Sequence, residues 1–159
     1  MKHSAKLVSR QEHASKFSFV SHPSRAKSCV GMFGVKTAGY TEAYLAVGPN
    51  SDRYVQFWHE LSTEDPLAVC TAFRRTIIKH DLDNRIKDPD VEWFTLFSPH
   101  GYRLGQNGSN PSVFIQVDGS DWNPGVDHFG LLWREENGHL RNYHGDYLCI
   151  GDTLHLEER

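Results

Sequence analysis

Short runs in which apolar side chains alternate with polar ones recur along this chain, each closed off by Gly, Pro, Asn or Asp. Nine stand out, at 16–21 (KFSFVS), 28–36 (SCVGMFGVK), 41–48 (TEAYLAVG), 53–60 (RYVQFWHE), 91–97 (VEWFTLF), 112–118 (SVFIQVD), 127–134, 139–144 and 146–156. A period of two matches the pleat of a half-buried strand, and β-branched and aromatic residues fit that surface best. The stretches GPNSD (48–52), KDPD (87–90) and DGSDWNPG (118–125) carry the turn chemistry that separates such runs. GYRLGQNGSNPS (101–112) lacks the Lys-Ser/Thr of a phosphate-binding loop and is read as a mobile surface loop.

One segment departs from alternation. Asp65 suits an N-cap and Pro66 the first helical position, and Cys70, Phe73 and Ile77 then follow at i, i+3 and i+7. The spacing predicts a helix over about 65–82, ending before Pro89. The expected fold class is therefore α+β, a mostly antiparallel and curved β-sheet packed against one main α-helix. A chain of 159 residues with 38% hydrophobic and 12% aromatic content is expected to form a single domain, 1–159, around one core.

Charge is unevenly spread. Residues 1–36 hold seven Lys or Arg against Glu12 alone, a balance of +6, while the remainder carries −9. Residues 1–15 are a candidate basic N-terminal arm, which could meet phosphates or fold back on the acidic body. With the body acidic, and no aromatic platform beside Arg74, Arg75 and Lys79, nucleic-acid binding is not expected. No run approaches the ~20 apolar residues of a membrane-spanning helix. Cys29, Cys70 and Cys149 lack disulfide or zinc spacing, which points to a reducing, intracellular and cytoplasmic setting.

Ten histidines invite a search for a site, and spacing decides it. DLDNRIKDPDVE (81–92) has acids at three EF-hand positions, but Arg85 and Ile86 occupy the places of a ligand and the turn glycine. No cofactor or metal is expected. The hairpin DHFGLLWREENGHLRNYH (127–144) turns at Asn137-Gly138, which permits two registers. A two-residue turn pairs Glu136 with His139 and puts His144 on the face of Phe129, Leu131 and Trp133. A three-residue turn pairs Glu135 with His139 and gathers His128, Arg134, Asn142, His144 and Asp146 on one polar face. The second separates apolar from polar residues more cleanly and is preferred. It makes those five the candidate ligand-binding set, with His139 a bystander at the exposed turn. A solvated face with a local His–Asp hydrogen bond accounts for the same pattern.

CTAFRR on the expected helix, followed by HFGLLW and an Asn-Gly turn, resembles the papain-like cysteine amidases that cut cell-wall peptides. The resemblance implies Cys70 as nucleophile and His128 as its base. Against it, Cys70 would lie in the second helical turn and share the stripe of Phe73 and Ile77. There a thiol gains little from the helix N-terminus and reads as core. The primary expectation is a non-enzymatic binding or regulatory protein, acting through a sheet face or loops on a protein or small-molecule ligand. The alternative is a small hydrolase using Cys70 and His128.

Overall fold

The computed structural model describes residues 2–22, 29–38, 43–48, 55–58, 71–78, 90–106, 114–117 and 129–151. The alternating runs become strands. Among the described residues there are twelve: β1 (Lys2–Val8), β2 (Lys16–Ser21), β3 (Phe33–Ala38), β4 (Tyr44–Val47), β5 (Val55–Trp58), β6 (Arg74–Ile77), β7 (Phe94–Phe97), β8 (Arg103–Gln106), β9 (Phe114–Val117), β10 (Trp133–Glu136), β11 (His139–Asn142) and β12 (Tyr147–Gly151). Of the expected turns, 49–52, 87–89 and 118–125 lie outside the described residues.

Strands adjacent in sequence pair antiparallel, giving three meanders: β2 to β5, β6 to β9 and β10 to β12. β1 joins the first to the last. Its Lys2–Ser4 end pairs with β5, and Ser4–Val8 pairs with β12. β7 joins the second meander to the third through Phe94 opposite Trp133. The sheet curls on itself, with β9 lying against β1 and β5, and β2 against β11. The curl encloses one main core around Leu45, Phe57, Phe73, Phe94, Leu104 and Trp133. Full burial of such side chains stabilises by about 1.5–3 kcal/mol each.

The α+β assignment is corrected to a nearly all-antiparallel β fold, with no α-helix among the described residues. Within the expected helix 65–82, Arg74–Ile77 form β6, while 65–70 and 79–82 lie outside the described residues. Thr76, Ile77 and Ile78 are consecutive β-branched residues, which crowd a helix and suit a strand. Two partners were also on offer. Phe73 exchanges both backbone hydrogen bonds with Phe33, at 2.8 and 2.9 Å, and β6 lies in register along β7. The helical stripe dissolves accordingly: Phe73 is buried and Ile77 is 40% exposed.

The loop reading of 101–112 is corrected in its first half, where Arg103–Gln106 form β8 with Arg103, Leu104 and Gly105 buried. Gly105 is required there. A Cβ would come within 2.6 Å of the Gly130 carbonyl oxygen and closer still to the Leu131 side chain.

The preferred hairpin register is also corrected. Glu136 faces His139, Arg134 faces Arg141 and Trp133 faces Asn142. Asn137 and Gly138 are both left-handed, with φ of 55° and 83°, the type I′ geometry whose twist matches the flanking strands. Trp133, Leu140 and Asn142 then lie on the buried face, and Arg134, Glu136, His139 and Arg141 on the other. The ladder continues only to Tyr143, which donates to the Leu132 carbonyl, before the chain turns into β12. His144 therefore never reaches a position opposite Leu131.

Candidate functional site

The residues expected to form a ligand site part company. Asn142, His144 and Asp146 share the tight turn between β11 and β12. Asn142 is buried. Its amide nitrogen donates to Asp146 O, its side-chain oxygen accepts from the Asp146 backbone N–H at 2.9 Å, and its side-chain nitrogen donates to Gln106. Those bonds occupy Asn142 as a turn clasp. His144 is exposed and meets Tyr143 edge-on, and Asp146 is half-buried. Arg134 stands apart on β10, its guanidinium over the Trp93 ring and 3.7 Å from the Glu136 carboxylate. Cys70 and His128 lie outside the described residues. Cys29 and Cys149 are buried, and burial pushes the Cys149 thiol up, away from reactivity.

The sequence reading missed a polar network on the outer face of the hairpin. Glu136 accepts hydrogen bonds from the Tyr147 hydroxyl, from Arg141 at 3.1 Å and from Gln11 at 3.4 Å. The Tyr147 hydrogen bond, joined by the charges of Arg141 and Arg134, holds the Glu136 carboxyl below its ordinary range despite partial burial. The same bond, with burial, raises the Tyr147 phenol. His139 is buried rather than a bystander at the surface. Its Nδ1 lies 3.0 Å from the Ser15 carbonyl oxygen and so carries the proton, leaving Nε2 as acceptor in the neutral ring. Beside this network is an open depression of about 840 Å³ walled by Arg10, Gln11, Lys16, Asn137 and His139. The signal for the network was in the sequence, because the two-residue register puts Arg134, Glu136, His139 and Arg141 on one face.

The second distinctive region is β6. All four of its residues are exposed, and among the described residues its ladder is made with β7 alone. Ile78 N donates to Trp93 O at 2.9 Å, one step beyond the strand in the same register. Antiparallel pairing alternates, so Arg74 and Thr76 turn their backbone groups toward β7, and Arg75 and Ile77 turn theirs outward. Phe73 fits the same parity, bonding outward to Phe33. The outward groups of Arg75 and Ile77 have no backbone partner among the described residues. Two large hydrophobic residues are exposed among the described residues, Ile77 and Val30, the latter at 72%.

Next to β6 runs a groove of about 390 Å³ lined by Arg75, Asp90, Glu92, Phe94, Arg134 and Glu135. Arg75 is held in its wall. The guanidinium stacks 4.8 Å from the Phe19 ring centre and 5.2 Å from that of Phe94, and it donates to Glu135 at 2.8 Å. Arg74 has no such commitment, with no ion pair among the described residues.

Among the described residues no three His, Cys, Asp or Glu side chains gather as a metal site requires, and no helix is long and apolar enough to cross a membrane. No family model, curated protein or solved structure matches this chain.

Proposed function

We propose that this chain is a non-enzymatic binding module that takes a segment of a protein partner along β6 and the groove beside it. One observation carries the reading: all four residues of β6 are exposed, and among the described residues the strand is laddered on one side, leaving the outward backbone groups of Arg75 and Ile77 without a backbone partner. Such an edge is a template for strand addition, in which main-chain hydrogen bonds supply affinity and alternate side chains supply selectivity. The groove adds a shallow polar wall with a fixed cation, Arg75. The buried thiols of Cys29 and Cys149 support work in a reducing, cytoplasmic setting.

Selection of a displayed random-peptide library on the purified chain tests the proposal. Enriched peptides should compete for one site and lose binding to an Ile77→Pro variant, whose ring removes an outward N–H while sparing the ladder to β7. Enriched peptides that bind the variant equally well, or a selection that enriches none, would sink it.

A further inference from the structure

We infer that β6 accepts an extended acidic segment of a partner as an added antiparallel strand, with an apolar residue opposite Ile77 and an acidic residue opposite Arg74. The inference rests on the binding-module reading and names the occupant of the same edge.

The backbone half of the argument is parity. Arg75 and Ile77 each present one donor and one acceptor outward, enough to bond one residue of an added strand on each. Every pairing in this sheet is antiparallel, and antiparallel ladders are slightly the more stable per residue. The side-chain half is charge. Of the two arginines on β6, Arg75 is neutralised by Glu135, and its stacking on Phe19 and Phe94 fixes it against the core. Arg74 is exposed and has no carboxylate beside it among the described residues, so its charge is available to a partner. Ile77, three positions on and on the opposite face, offers an apolar contact.

Charge also argues against a second copy of this chain as occupant. Two β6 edges brought together would juxtapose basic strands, the arrangement by which edge strands discourage self-association. An antiparallel guest therefore reads, from its N-terminus, apolar-x-x-acidic.

The test uses the full chain and two capped hexapeptides, Thr-Ile-Thr-Val-Glu-Thr and Thr-Ile-Thr-Val-Lys-Thr, titrated at low salt and followed by backbone amide NMR shifts. The Glu peptide should bind about two- to fivefold more tightly, as expected of an exposed ion pair, and the margin should shrink as salt is added. Arg74→Glu should reverse the preference, and Ile77→Pro should abolish binding of both peptides, its folding checked by the amide fingerprint. Equal binding of the two peptides, lost in Ile77→Pro, would overturn the acidic preference and leave the binding module standing. Binding that survives Ile77→Pro would overturn the edge, as would the absence of binding by either peptide. A concentration-dependent dimer abolished by Ile77→Pro would assign the edge to a second copy and overturn the inference.

Discussion

β10 and β6 are both four-residue strands with two or more charged side chains, WREE and RRTI, yet they end in opposite circumstances. β10 is paired on both edges, by β7 and β11. Its Trp133 fills the core, and its Glu136 is netted by Tyr147, Arg141 and Gln11. β6 has, among the described residues, one ladder, and its four residues are exposed. Charge density does not separate the two strands; what separates them among the described residues is backbone pairing, on both edges for β10 and on one for β6. A strand paired on both edges contributes stability, and one with an unpaired edge leaves backbone groups that another strand could bond.

Trp133→Ala would test the stability half of that contrast hardest. The indole is fully buried and its N–H donates to the Leu104 carbonyl at 2.9 Å. Truncation should cost about 3–5 kcal/mol in urea denaturation, enough to unfold a marginal domain. A loss below 1 kcal/mol would mean the strand is not the anchor described.

Proline scanning of β6 sharpens the comparison at the level of single amides. Thr76→Pro removes a donor to β7, whereas Ile77→Pro removes one that faces outward. The first should be the more destabilising by about 1–3 kcal/mol, the cost of stranding a buried acceptor. Equal losses in melting experiments would mean the parity is misassigned.

The Glu136 network predicts a pH dependence. Because the folded carboxyl lies below its ordinary value of 4.5, its contribution is present at neutral pH. It fades as pH falls below that value and through the folded one. At the other end, the raised Tyr147 phenol favours the fold below its ordinary value of 10.0, and that contribution fades as pH rises through the folded value. Glu136→Gln should cost about 1 kcal/mol at pH 7, with the gap to the parent closing in acid. A gap that stays constant down to pH 2 would remove the carboxylate from the account.

The smallest effect belongs to Arg74→Ala, expected within about 0.5 kcal/mol of the parent in the same denaturation assay. A larger loss would show that Arg74 has an internal partner and is not available for binding.

Much of the sheet was legible because alternation reports a pleat directly: 16–21 is β2, and 41–48, 53–60 and 91–97 each contain a strand. The Asn137-Gly138 turn was legible for the same local reason. What escaped depended on partners distant in sequence. Residues 73–77 satisfy a helical stripe as well as a strand, and pairing with Phe33 and β7 decided between them. The hairpin register was misjudged because His139 and Asn142 looked like surface residues. Burial of both is permitted by Ser15, Asp146 and Gln106, none of which is implied by the local pattern. β8 was hidden by its Gly-rich surroundings, although Gly105 is there because the 3-10 turn at Phe129–Leu131 presses against it.

The position of β1 has a consequence for how this protein comes to exist. Ser4 lies opposite Gly151, so an early strand waits for one 147 positions later before its ladder to β12 can form. Pairings of such high contact order slow folding and leave strand edges bare in the meantime. During synthesis, the β12 edge of Ala5 and Leu7 would remain unpaired until Tyr147–Gly151 had emerged.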